Sequence, residues 1–368
     1  MKQNIIVLFG GVSTEHDISI ITGVQTLNNI DEYLFNVIPV YITKKGVPIT
    51  SKKFFDINTF RLNPTGKRVI FEGHSGCIKI GNIFAKKIHI NCAVVCMHGK
   101  NGEDGLISGV LKFAGIPYTC GDMLPSAIAC DKVIFKDVLH SMGVNYVPYV
   151  SVTCDEYNKS KSKCIKKILD SVSLPLIVKP ANLGSSIGIE ICKTRKNLSK
   201  CIENALKFDK KLLIEKYLSD FKELNIALYN DKKLHISHIE EPLKTSDILS
   251  FENKYIGKSK GMENLHRVRP KLDKATAMYL KDCSTKVYRH LGLNGVVRFD
   301  YIVADKVYLN EINTVPGSMA NYLFDISFKD LITHLIHSAI EEYNIDKNFV
   351  STFNSNVLKQ SELNILKK

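Results

Sequence analysis

The chain has 368 residues, 45% of them hydrophobic, enough to bury the cores of two or three domains and far from the composition of a disordered polymer. A net charge of +13 admits nucleic acid or small anions as ligands. The basic residues are spread along the chain, however, with no arginine-rich arm, zinc finger or aromatic RNA-binding strand motif, which argues against nucleic acid. The opening apolar run is too short for a signal peptide and no later segment reaches membrane length, so we expect a soluble, cytoplasmic protein with no membrane partner. Ten cysteines between Cys77 and Cys283 include no CxxC pair and read as reduced, mostly buried thiols. Cys92 and Cys96 share one strand face but lack the partner pair that a zinc site requires.

Asn4 to Phe9 reads as a buried strand, followed by Gly10-Gly11 and by Ser13, which is placed to cap a helix through Ile18, Ile21, Val24 and Leu27. Phe35 to Ile42 gives a second strand. His89 to Met97 gives another, running into His98-Gly-Lys-Asn-Gly-Glu-Asp-Gly105, then a helix from Leu106 to Ala114 ended by Gly115, and Ile116-Pro117-Tyr118 opening the next strand. Alternating strands and helices predict a mostly parallel sheet with ligands at the carboxyl ends of its strands, where both glycine loops fall. This first unit covers residues 1–120. The second, 121–212, holds a helix through Asp131-Lys132 to Met142, stopped by Gly143, then the strand Leu176 to Lys179 and the loop Pro180 to Gly188. The third, 213–350, holds Glu215-Lys-Tyr-Leu218, a strand from Glu223 to Tyr229, the polar stretch Ser246 to His266, a helix near Ala275 to Gly292, and a hairpin from Arg298 to Asn313. Residues 351–368 read as a peripheral helix or tail.

The hairpin carries the densest chemistry. With a two-residue turn at Asp305-Lys306, Asp300 lies opposite Glu311 and Arg298 opposite Asn313, all on one face, while Phe299, Tyr301, Val303, Tyr308 and Ile312 take the other. Facing acids repel unless a cation lies between them, and two carboxylates with an amide suit magnesium. Upstream, Lys179 ends an apolar strand and leads into Gly184, Ser185, Ser186 and Gly188, a charge and a set of free amides of the kind that receives phosphate. It is neither a Walker A sequence nor a GxGxxG fingerprint, and by itself it is equally a structural glycine turn. A triphosphate needs both such a cradle and carboxylates to hold its metal, and the chain has both.

These motifs resemble those of the D-alanine-D-alanine ligases of the ATP-grasp superfamily. Gly10-Gly-Val-Ser-Thr-Glu-His16, His98-Gly-x-x-Gly-Glu-Asp-Gly105, Ser126-Ala-x-x-x-Asp-Lys132, Val178-Lys-Pro-x-x-x-Gly-Ser-Ser-x-Gly188, Arg298-x-Asp300 and Asn313-Thr-Val-Pro-Gly317 keep the family's order through nearly the whole length. The resemblance implies a three-domain α/β (α+β) ATP-grasp architecture with an N-terminal Rossmann-like sheet. It also implies an enzyme that uses ATP to join two D-alanines for peptidoglycan synthesis. Lys132, Lys179 and Ser186 would meet the phosphates, with Lys254 beside them; Glu215, Lys216 and Leu218 would face the adenine, and Glu223 the ribose. Asp300, Glu311 and Asn313 would hold two Mg²⁺ ions, with Mn²⁺ an alternative. Glu15 would anchor the ammonium of the first substrate, Ser185 and Tyr255 would link it to a closing loop over 246–266, and His98 would lie near it. Arg298 and a backbone amide near Gly317 would stabilise the oxyanion. A homodimer is the family expectation.

The pattern is broken at the second substrate. Tyr322 stands where the family's carboxylate-holding serine is expected, Arg267-Val-Arg269-Pro270 departs from the usual end of the lid, and Ser108 stands for a common glutamine. The ATP half is unaffected, and a paralogous ligase with D-serine, D-lactate or another amine as acceptor is the alternative reading.

Overall fold

A computed structural model of the chain describes residues 2–82, 85–242 and 267–353 together with Ser355. Its first sheet runs, in spatial order, Lys86–His89, Cys77–Ile80, Lys67–Phe71, Pro48–Thr50, Phe35–Ile42, Gln3–Gly10 and Cys92–Val95. Gln3–Gly10 pairs in parallel with both of its neighbours, as expected, and Ala93 makes a parallel bridge to Tyr118. The remaining strands are antiparallel, which the alternation of motifs did not predict. The cause is local: Thr43 N–H donates to Val47 O across a tight turn through Gly46, and a reversal that short can deliver only an antiparallel neighbour.

Two antiparallel sheets follow. One has the order Glu190–Cys192, Leu176–Pro180, Lys211–Lys216, Tyr149–Thr153, and is backed by Ile168, Leu198 and Ile202 from the helices Lys161–Ser171 and Leu198–Ala205. The other has the order Lys233–Ile236, Lys222–Asp231, Val297–Val303, Val307–Asn313. Phe135 and Leu139 of helix Lys132–Ser141 and Leu280 and Val287 of helix Lys274–His290 bury against its Leu224, Ile226, Phe299 and Tyr301. The helix Phe328–Asp346 returns to the first sheet, packing Leu331, Ile332, Leu335 and Ile336 with Ile5, Val7 and Cys92. Among the described residues, no helix is long and apolar enough to cross a membrane. All ten cysteines are unpaired, and burial pushes the Cys96 and Cys120 thiols up to about 12.

Two local expectations change. Ser13 does not cap the first helix; its Oγ accepts from the Glu15 amide at 3.1 Å, and the helix begins at His16 with Glu15 in the capping position. The hairpin turn holds three residues rather than two, since Val303 pairs with Val307. A bulge at Asn310 then absorbs the offset, so Asp300 still faces Glu311 and Arg298 still faces Asn313. Tyr308 consequently leaves the core face, where Leu309 is fully buried instead, and its hydroxyl donates to Asp305.

Candidate active site

The two antiparallel sheets and the first glycine loop enclose one cavity of ≈ 750 Å³. Its hairpin wall presents Arg298, Asp300, Glu311 and Asn313. Arg298 donates from Nε to Asp300 Oδ1 and from Nη2 to Asp300 Oδ2, both at 2.7 Å, and Asn313 Nδ2 donates to the same Oδ2 at 2.9 Å. Burial works against the guanidinium charge, but the Asp300 carboxylate beside it more than restores it, and the group stays cationic. Lys132 Nζ lies 3.6 Å from Glu311 and donates to the Leu183 carbonyl at 2.7 Å, so the second acid has a cation near it as well. Hard oxygen donors on opposed strands, balanced by protein cations, make a donor set that fits a magnesium ion.

Lys179, on the strand Leu176–Pro180, donates to Glu215 Oε1 at 2.9 Å from the neighbouring strand. Behind them stands Lys136, with Nζ 3.5 Å from Glu215 Oε2. Burial pushes the Glu215 carboxyl up, yet Lys136 and Lys179 together outweigh it and hold the carboxyl below its ordinary value. In the loop that follows, Ser185 and Ser186 take φ of 53° and 59°, left-handed conformations that non-glycine residues rarely adopt. Such strain persists where the surroundings fix it, and consecutive turned amides form a concavity suited to anions.

Ser185 Oγ donates a short hydrogen bond to Glu15, joining the phosphate-type loop to the start of the first helix across 170 residues. Gly99 sits against the same carboxylate: a Cβ there would lie 2.5 Å from Glu15 Oε2, and its φ of 65° is also a glycine conformation. His98 lies one layer behind. It accepts at Nε2 from Thr22 Oγ1 at 2.8 Å if its other nitrogen, Nδ1, donates to the Val315 carbonyl at 2.7 Å, and the short Nδ1 contact to a carbonyl requires that tautomer.

Beyond Val315 the chain passes Pro316 and Gly317 into Ser318, Met319 and Ala320, three successive residues with φ near 50°. Each left-handed residue costs about 1–2 kcal/mol. The turn is held by Ser318 N–H donating to Thr22 Oγ1 at 3.3 Å, Ser318 Oγ donating to Gln25 at 2.8 Å, and burial of Met319 and Ala320. A Cβ on Gly317, which lines the cavity, would meet nothing, so this glycine leaves room for something other than the chain itself. Tyr322, at the end of the turn, brings its hydroxyl to 3.4 Å from Arg298 Nη1.

The cavity thus gathers Glu15, Lys132, Lys179, Ser185, Ser186, Glu215, Lys216, Leu218, Glu223, Arg298, Asp300, Glu311, Asn313, Gly317 and Tyr322. His98 is not in its lining, and Lys254 and Tyr255 lie outside the described residues. Sequence reading missed Lys136, Asn225 and Glu240. Lys136 had a usable signal, since it follows Lys132 by four positions and shares its helix face. Asn225 and Glu240 line the cavity and exchange backbone hydrogen bonds, a pairing between distant segments that no local pattern announces.

Residues 4–121 match the family described as "D-ala D-ala ligase N-terminus", and residues 138–337 match "D-ala D-ala ligase C-terminus". Over 366 residues the chain is 36% identical to the D-alanine–D-alanine ligase of Thermosipho melanesiensis, covering 97% of this chain and 98% of that one. Among solved structures it resembles the D-alanine-D-alanine ligase of Helicobacter pylori, with 28% identity, a TM-score of 0.73 and coverage of 91% and 98% of the two chains. It shares its fold with the Coxiella burnetii enzyme, at 21% identity, a TM-score of 0.79 and coverage of 94% and 96%.

Proposed function

The chain belongs to the D-alanine–D-alanine ligase family, and we propose that it uses ATP to join two D-alanines into D-alanyl-D-alanine for peptidoglycan synthesis. The observation that carries this reading is that Glu15 with Ser185, Lys132 with Lys179, and Arg298 with Asp300 and Glu311 all line one cavity. Those three groupings supply what ligation needs: an anchor for an ammonium group, cations for phosphates, and charge control at a reacting carbonyl.

In the proposed reaction a carboxylate oxygen of the first D-alanine attacks the γ-phosphorus of ATP, forming an acyl phosphate and releasing ADP. The amine of the second then attacks the carbonyl carbon, loses a proton, and expels phosphate as the C–O bond breaks. Glu15 holds the first ammonium group, with Ser185 fixing the carboxylate's orientation. Lys132, Lys179 and Ser186 take the phosphates, Glu215, Lys216 and Leu218 the adenine side, and Glu223 the ribose. Arg298 meets the negative charge that develops on the carbonyl oxygen, helped by an amide near Gly317. Asp300, Glu311 and Asn313 would hold two Mg²⁺ ions, with Mn²⁺ an alternative, and metal there would offset the charge of the phosphates. His98, through Val315 and Thr22, orients the turn beside the first substrate. Tyr322 shapes the second site, its hydroxyl within reach of Arg298.

We further read the protein as cytoplasmic, which its ten unpaired cysteines support, and as a homodimer. Leu106, Val110 and Phe113 lie at i, i+4 and i+7 on one helix and are exposed together with Met123 and Leu124, an apolar stripe suited to a second copy. The direct test is phosphate release from Mg-ATP with D-alanine alone, with the product weighed by mass spectrometry. Dipeptide equal to phosphate supports the reading; D-alanine-dependent phosphate release without dipeptide would refute the acceptor assignment.

A further inference from the structure

Lys136 is 1% exposed and Glu215 2%, and neither burial is accounted for by packing alone. Lysine is almost never fully buried without a partner, because desolvation disfavours its charge. Here Lys136 donates to the Val147 carbonyl at 3.3 Å, approaches Glu215 Oε2 at 3.5 Å, and lies 5.7 Å from the centre of the Tyr146 ring. The other oxygen of Glu215 is taken by Lys179 at 2.9 Å. One carboxylate therefore bridges two ammonium groups, of which Lys179 lines the cavity and Lys136 does not.

This arrangement has a consequence for ligand binding. A phosphate that recruits Lys179 competes directly with Glu215 for the same ammonium. Were Lys179 the carboxylate's sole cation, its departure would strand a charge in a wall buried from water, and a stranded buried charge is strongly unfavourable. Lys136 removes that obstacle, since it keeps Glu215 neutralised from behind whichever way Lys179 turns. We propose that Lys136 is a positioning residue that balances Glu215 and so frees Lys179 for the nucleotide's phosphates. The exchange is one of partners only, and no proton is transferred. The inference rests on the reading of this cavity as an ATP site.

The test compares the affinities of the full-length protein for Mg-ATP and for adenosine, by calorimetry, in the wild type, Lys136→Met and the double variant Lys136→Met/Glu215→Gln. Adenosine lacks phosphates, so the ratio of the two affinities isolates the phosphate contacts proposed for Lys132, Lys179, Ser186 and metal, of which Lys179 is the one bonded to Glu215. In Lys136→Met the ATP-to-adenosine affinity ratio falls by about tenfold, the scale of one charged hydrogen bond. In steady-state assays the same variant shows the loss in KM for ATP rather than in kcat. The double variant, whose neutral amide no longer retains Lys179, returns the ratio towards that of the wild type. An unchanged ratio in Lys136→Met, with both ligands weakened alike, would reduce Lys136 to a structural role and overturn the proposal. If Lys136→Met does not fold, the double variant decides: a ratio still tenfold low overturns the proposal. A wild type that binds adenosine and ATP equally, or neither, overturns the nucleotide reading itself, a distinct result seen before any variant is made.

Discussion

Arg298 and Asp300, two residues apart on one strand face, are locked by a pair of parallel 2.7 Å hydrogen bonds from Nε and Nη2. The guanidinium proposed to meet the oxyanion is therefore aimed by the same carboxylate proposed to hold metal. Arg298→Lys keeps the charge and loses the fork, so it cannot be held in the same way. We expect kcat to drop by about 10²–10³-fold, the scale for removing one oxyanion donor, with KM for ATP almost unchanged. Steady-state kinetics in both substrates checks this; equal losses in kcat and in ATP affinity would show that Arg298 serves the phosphates instead.

Glu15 is buried, contacts Ser185 and has Gly99 pressed against it. Glu15→Gln preserves shape and removes charge, and should raise KM for the first D-alanine by about tenfold or more. Ser185→Ala should do the same more weakly. ATP binding in the absence of D-alanine, measured by calorimetry, should stay at the wild-type level in both.

The carboxyl of Glu215 titrates below its ordinary value of 4.5 in the folded chain. The unfolded chain therefore takes up this proton first as pH drops, and the contribution to stability, complete above about 4.5, is lost as pH falls through the folded value. Tm measured from pH 7 downward should fall less steeply below pH 4.5 in Glu215→Gln than in the wild type, even though the variant starts lower for want of a partner to Lys136 and Lys179. Parallel acid slopes would contradict the assignment.

The exposed stripe on helix Leu106–Ala114 places Phe113, 75% exposed, at its end. Phe113→Asp should convert a dimer to a monomer in light scattering, with Tm little changed, because the side chain contributes little to the monomer's core. A wild type that is monomeric at micromolar concentration, or a variant that remains dimeric, would move the interface elsewhere.

Much of this site could be read from residue order, because its chemistry sits at strand ends and glycine turns that announce themselves locally. The hairpin was read correctly at Asp300 and Glu311 through two compensating features, a turn one residue longer than expected and a bulge at Asn310. Beyond that pair the same error misplaced Tyr308. The antiparallel half of the first sheet was not legible, since short strands such as Pro48–Thr50 carry too few residues to show a period. The spacing of Lys136 from Lys132 marks a shared helix face, but nothing local announces that Lys136 is buried; only the fold brings Glu215 to it. Lys254, Tyr255 and the whole of the lid expected over 246–266 lie outside the described residues.

The left-handed turn at Ser318–Ala320 is pinned to Thr22 across 296 residues and to Gln25 across 293. Nearly the whole polypeptide must be synthesised before these partners can meet, and contacts so distant in sequence form late. A nascent chain that already carries Glu15, Lys132 and Lys179 therefore still lacks the wall next to Gly317. The wall beside Gly317 and Tyr322, proposed to take the second substrate, is completed only when the segments around Thr22 and Ser318 have met.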